Sequence, residues 1–215
     1  MRTIIAAFLT VLLAACSSVP EVVDPGSDAP EVRVAPAYSF REASSYGEAL
    51  KLWRNAGDVN GWIGARFQYD VARAMQLSET QRTLNGRMPI LSPERFFSAP
   101  NGVCVDLARF ALETLRAVDP EAKPAYVMIE FDPVSISGNT LRRHWVVSFK
   151  RGDEHYFFAD SKRPGHMAGP YASTQEFIDE YARYRARRIV SFRELESYER
   201  KVRTLATKQS REERP

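Results

Sequence analysis

The chain has 215 residues, 44% hydrophobic and 27% charged, with 30 basic against 27 acidic side chains and a formal charge of +3. That is enough chain for one domain with its own apolar core, and it excludes collagen-like, disulfide-rich and multi-span membrane classes. So even a charge balance gives nucleic acid no electrostatic footing as the main partner.

The first 16 residues combine Arg2 with a largely apolar run over residues 4–15, followed by Cys16. This is a secretory leader layout, and the run is shorter than the roughly 18 to 20 apolar residues of a spanning helix. Leu13-Ala14-Ala15-Cys16 resembles the lipobox of bacterial lipoproteins. That resemblance implies a signal peptide over residues 1–15, acylation of Cys16 and attachment to a membrane through lipid. Ser17 follows the cysteine, which in Gram-negative lipoproteins goes with export to the outer membrane, facing the periplasm. Residues 16–45 then read as the lipidated cysteine and a flexible tether, since residues 17–45 carry four prolines and no sustained periodicity.

The folded domain is expected over residues 46–190. A helix is predicted from Tyr46 to Gly57, and a second helical stretch follows, with Trp62, Ile63, Phe67, Val71, Met75 and Leu77 mostly three or four apart. Asn85-Gly86 and the prolines at 89 and 93 mark a loop. Leu107, Ala108, Ala111, Leu112, Leu115 and Val118 form one apolar stripe, a strongly amphipathic helix that Asp119-Pro120 ends. Three strands are predicted over 125–131, 144–149 and 155–160, with turns at Gly138-Asn139 and Gly152-Asp153. Ser173 and Glu176 have capping-box spacing for a further helix that turns Phe177, Tyr181 and Tyr184 inward. Residues 191–215 read as a charged C-terminal helix and tail, with Leu195, Tyr198, Val202 and Leu205 in helical steps. From 183 to 215 there are 11 basic and 5 acidic residues, most simply a solvated face, with anionic lipid headgroups or envelope polymers as the sharper reading.

Acylation of Cys16 would leave Cys104 as the one free thiol. In an oxidising envelope structural cysteines usually pair, so a solitary one is either a buried bystander or a reactive group. Cys104 falls where the Gly102 loop becomes helix, and helix N-terminal N–H groups can lower a thiol pKa from about 8.5 into roughly the 3.5 to 7.5 range. Of the three histidines, His144 opens a predicted core strand, whereas His155 follows a turn and His166 lies in a Pro/Gly-rich loop. Strands pairing symmetrically about Gly152 would set Asp160 beside His144, to within a residue or two of register. There a carboxylate fixes the imidazole tautomer and stabilises imidazolium.

The run Gly102-Val103-Cys104-Val105-Asp106 at a helix start, then His144-Trp145 and Asp160 on successive strands, resembles the transglutaminase-like, papain-related superfamily, and within it the bacterial transglutaminase-like cysteine peptidases. Val59-Asn60, Phe67, Asp70 and the run 92–97 fall where that family has similar motifs, and the resemblance spans about residues 50 to 180. It implies an α+β fold, with the helix bearing the cysteine packed on an antiparallel sheet bearing His and Asp. It implies that Cys104 attacks a peptide or glutamine-type carbonyl, His144 moves the proton, Asp160 orients His144, and a thioester forms. The oxyanion would be held by the Cys104 backbone N–H and by an upstream side chain, for which Gln68 or Tyr69 are the candidates. The substrate would be a protein or peptide of the cell envelope, with hydrolysis by water or transfer to an amine as outcomes. No cofactor is implied. Bacterial relatives that bind calcium carry acids on both sides of the cysteine, whereas Val103 and Val105 flank it here. The alternatives are a non-catalytic binding or assembly member of the fold and a transamidase. Cys104, His144 and Asp160 as zinc ligands is a remote reading without CxxC or HExxH spacing, and Asp106 reads as a helix-terminus residue.

Overall fold

Ser45 caps the first helix, α1 (Tyr46–Leu52), by accepting from the Glu48 N–H. The expected run to Gly57 stops five residues early because Trp53 turns extended and Asn55 caps a new helix, α2 (Ala56–Arg66), accepting from the N–H groups of Gly57 and Asp58. The computed structural model describes residues 27–30 and 40–199. The expected leader, Cys16, most of the expected tether and the expected helical positions Val202 and Leu205 lie outside the described residues.

The second helical stretch is likewise interrupted. Phe67 leaves α2 in an extended conformation, Gln68 and Tyr69 form a two-residue strand, β1 (Gln68–Tyr69), and Asp70 caps α3 (Val71–Gln76) by accepting from the Arg73 N–H. The apolar spacing is helical, but capping side chains cut the helix. After α4 (Glu79–Asn85) and α5 (Pro93–Ser98), β2 (Asn101–Gly102) pairs in parallel with β1 and leads directly into α6 (Cys104–Val118), which the stripe anticipates.

Beyond a short 3₁₀ turn come β3 (Ala125–Ile136), β4 (Asn139–Arg151), β5 (Glu154–Phe158), β6 (Ala168–Tyr171), α7 (Thr174–Arg185) and β7 (Ile189–Leu195). They form an antiparallel five-stranded sheet of order β6-β5-β4-β3-β7. The fold is therefore α+β, with the cysteine helix and the antiparallel sheet in the expected relation. The first part of the expected C-terminal helix is instead β7, an edge strand on β3, so the domain runs past residue 190 to at least Leu195.

Alternation along the strands splits the core in two. Tyr126, Val147, Phe149 and Phe158 join Leu107, Ala111, Leu112 and Leu115 of α6, along with Trp53, Trp62, Phe96 and Phe110. Val127, Ile129, Phe131, Val146 and Phe157 meet Phe177, Ile178 and Tyr181 of α7. A sheet covered on both faces explains why β3 and β4 read as nearly continuous apolar runs. Phe157 stacks on Phe177 at 3.9 Å between centroids, and Trp62 on Phe97 at 5.0 Å. Tyr184 and Trp145 are partly buried, the latter edge-on to Tyr126.

Candidate active site

Cys104 is the first residue of α6, and the chain reaches it through a narrow passage. Asp70 N–H donates to Gly102 O at 2.9 Å and Gln68 N–H to Pro100 O at 2.7 Å, so the β1–β2 ladder clamps the loop ahead of the cysteine. Gly102 fits closely there: a Cβ would sit 3.0 Å from both Asp106 Cβ and the Phe96 ring, so those side chains would have to give way.

Asp106, fully buried, holds the start of α6 from within. Its carboxylate accepts from Val103 N–H at 3.1 Å and Leu91 N–H at 2.9 Å, and takes a bidentate bond from Arg73, Nε at 2.7 Å and Nη2 at 2.8 Å. Arg73 goes on to Pro89 O at 2.7 Å. The helix-terminus role expected of Asp106 is thus extended into a tie between α3, the loop before α5 and α6.

The β4–β5 register is one residue from symmetry about Gly152, with Val147 opposite Phe158. A slip of one residue along a continuing strand would turn Asp160 to the wrong face. The strand does not continue. Ala159, buried and left-handed at φ 59°, swings the chain, and His144 Nε2 meets Asp160 Oδ1 at 2.9 Å. The same oxygen accepts from Lys162 N–H at 2.9 Å and from the Tyr181 hydroxyl at 3.1 Å, while Arg163 Nε donates to Oδ2 at 3.2 Å. Gly165 packs the following loop on α2, where a Cβ would come 2.8 Å from Gly64 Cα, and Asn60 Nδ2 donates to Gly165 O at 2.7 Å. The Tyr181 ring also stacks on the His144 ring, with centroids 5.8 Å apart.

Where β5 turns away at Ala159, the start of α6 comes up to β4, and the Cys104 sulfur is held by the Trp145 N–H and the His144 ring. Cys104, His144 and Asp28 each present an atom within 4.8 Å of the other two. Asp28 belongs to residues 27–30, placed by sequence in the tether. Its Oδ2 lies 3.1 Å from His144 Nδ1, and its Oδ1 accepts from Arg185 Nη2 at 2.8 Å. Arg185 Nη2 also reaches Ser27 O at 3.2 Å, and Ser161 Oγ donates to Asp28 O at 3.1 Å.

Burial would raise the Asp160 carboxyl, but the His144 hydrogen bond and the charges of His144, Arg163 and Arg185 hold it well below the usual carboxylate range. Burial likewise opposes the shift of Asp28, which His144 and Arg185 keep low. For His144 burial acts downward and is outweighed by the Asp28 charge, Tyr181 and the Asp160 bond, so its pKa rises well above 6.5. Burial pushes the Cys104 thiol up, the His144 bond opposes it, and the Asp28 charge adds to the rise. The shift is thus upward, opposite to the lowering expected of a helix N-terminus, with burial first among its causes and the Asp28 charge adding to it.

Of the oxyanion candidates, Gln68 is exposed, whereas Tyr69 is half-buried and close enough to Asp28 and Cys104 for their charges to bear on it. Burial first, and those charges next, push its hydroxyl far up, so it remains a donor. His155 lies on β5 opposite Lys150, and His166 is an exposed residue of the loop ahead of β6. Among the described residues the group able to hold a metal ion is Asp28, Cys104 and His144, of the donor types zinc takes, and a metal there would need the neutral ring and the thiolate, displacing the protons they hold. Two residues escaped the sequence reading. Asp28 has no periodic or motif signal. Arg185 has one: it stands four residues beyond Tyr181 and eight beyond Phe177, on the same inward face of α7.

A family model described as a transglutaminase-like domain matches residues 48–191. No curated protein and no solved structure matches the chain.

Proposed function

The chain belongs to the transglutaminase-like domain family, and from that premise we propose that it is a cysteine peptidase or amidase acting by acyl transfer on a protein or peptide of the bacterial cell envelope. The observation that carries this reading is the placement of the Cys104 thiol within 4.8 Å of an imidazole whose far nitrogen is held 2.9 Å from a buried carboxylate.

In the reaction, with the Asp28 carboxylate that raises its pKa displaced by substrate, neutral His144 takes the thiol proton and the sulfur bonds to the substrate carbonyl carbon, whose π pair moves to oxygen. The oxyanion is met by the Cys104 backbone N–H at the start of α6 and by the Tyr69 hydroxyl. The C–N bond then breaks, the leaving amine takes the proton from His144, and a thioester remains. Water, deprotonated by His144, attacks the thioester, and the sulfur leaves as thiolate, which takes the proton back from His144 to close the cycle. An amine in place of water would give transamidation. Asp160 keeps the imidazole oriented and stabilises its charged form. The leader and Cys16 support anchoring by lipid at the outer membrane, facing the periplasm. No helix among the described residues is long and apolar enough to cross a membrane.

One observation favours a second reading, a non-catalytic binding member of the fold: Asp28 stands over the Cys–His pair and the thiol pKa is raised. Intact-mass detection of a Cys104 thioester from an activated ester separates the two. The enzyme reading expects an acyl adduct that Cys104→Ala abolishes and His144→Ala slows about a hundredfold or more. Acylation unchanged by His144→Ala would overturn it.

A further inference from the structure

Arg185 is a cation in the interior, with a side chain wholly removed from solvent. Its guanidinium lies 5.0 Å from the Phe131 ring centroid and 5.7 Å from that of Tyr181, and Nη1 donates to the Tyr181 hydroxyl at 3.1 Å. The Tyr181 hydroxyl donates in turn to Asp160, which holds His144, so the arginine is rigidly joined to the catalytic side chains. A buried charge needs an anion opposite it. Asp28 faces it directly, and the chain there is held beside the site through Ser27 O and Asp28 O as well as through the carboxylate.

A substrate carbonyl must lie against Cys104, next to the place where the Asp28 carboxylate now stands. Whatever takes that place must also face Arg185. The Asp28 carboxylate is itself a poor acyl donor, because attack would have to expel oxide, so it occupies the cleft without being consumed.

Resting on the acyl-transfer reading above, we propose that the cleft contains a subsite for a carboxylate-bearing substrate group, recognised by Arg185, which the chain's own Asp28 fills in the absence of substrate. The docked main chain at Ser27 and Asp28 favours a peptide as the bearer. Its carboxylate is either an acidic side chain or a chain terminus.

The test uses the full chain with Asp28→Ala and follows Cys104 alkylation by iodoacetamide. Opening the subsite should speed alkylation about tenfold or more, and acetate, which reproduces the missing carboxylate, should slow it again while its neutral isostere acetamide does not. Arg185→Lys in the same background should weaken protection by acetate about tenfold, since it keeps the charge but loses the two-pronged donor. Protection by N-acetyl-aspartate amide would assign the subsite to a side chain, and protection by N-acetyl-alanine to a terminus. Equal protection by acetate and acetamide, protection by neither, or an alkylation rate that Asp28→Ala leaves unchanged would overturn the proposal. The acyl-transfer reading fails separately, if His144→Ala has no effect on thiol reactivity in the opened protein. Acetate protection needs no change at Arg185, so the test stands even if that variant does not fold.

Discussion

Arg73 with Asp106 and Arg185 with Asp28 are both arginine–aspartate pairs beside the Cys104 helix start, with contacts of 2.7 and 2.8 Å. The first is built wholly from the folded domain: Asp106 also satisfies two backbone N–H groups and is closed to solvent. The second joins a buried arginine to a short stretch far away in sequence, through an aspartate whose side chain is 15% exposed. Similar chemistry therefore gives a structural tie in one place and an exchangeable contact in the other. What separates them is the number of further bonds the acid makes to the domain, and the access of water when the pair opens.

Truncating each acid sharpens that contrast. Asp106→Ala should cost about 3 to 5 kcal/mol in denaturant unfolding, because it strands Arg73 and two N–H groups. Asp28→Ala should cost less than half as much, since water can enter and solvate Arg185; equal losses would break the distinction. The next effect down is catalytic. Asp160→Asn should lower thioester formation by about a hundredfold while leaving the fold intact, with the deficit largest where His144 must carry its charge.

A pH series tests the exchangeable pair alone. Asp28 is held below its ordinary 3.8, so its contribution is present above that value and is lost as pH falls through the lowered one. His144 is held above 6.5, so its contribution is complete below 6.5 and is lost as pH rises through the raised value. The stability difference between wild type and Asp28→Ala, read from urea midpoints, is therefore expected to be largest between 3.8 and 6.5 and to shrink on either side. A difference that does not change with pH would mean that the ion pair does not carry it. The smallest effect is expected at Ser173→Ala, which removes the cap of the helix carrying Tyr181 and Arg185 and should cost about 1 kcal/mol.

The parts legible from sequence are those with local signals. The stripe of α6, the capping serine of α7 and the strands β3, β4 and β5 all follow from periodicity and turn chemistry. Spacing also brings His144 and Asp160 together, although the working geometry depends on Ala159 rather than on symmetry about Gly152. The strand β7 was hidden because an edge strand with alternating exposure and several charges resembles a solvated helix face. The breaks at Trp53 and Phe67 were hidden because both residues keep helical spacing while their caps redirect the chain. Asp28 could not be read at all: its role rests on contacts more than a hundred residues away, with Arg185 and Ser161.

An occupant carried on the same chain as its site has a consequence for mass action. Its effective concentration is set by the polypeptide and not by how much protein is present, so dilution does not release it. A free ligand must compete against that local concentration, and every competitor for the cleft loses apparent affinity by the same factor, the fraction of molecules in which Asp28 stands aside. Binding constants measured on the intact chain and on Asp28→Ala should therefore differ by one common ratio across ligands, and that ratio measures how firmly the segment sits.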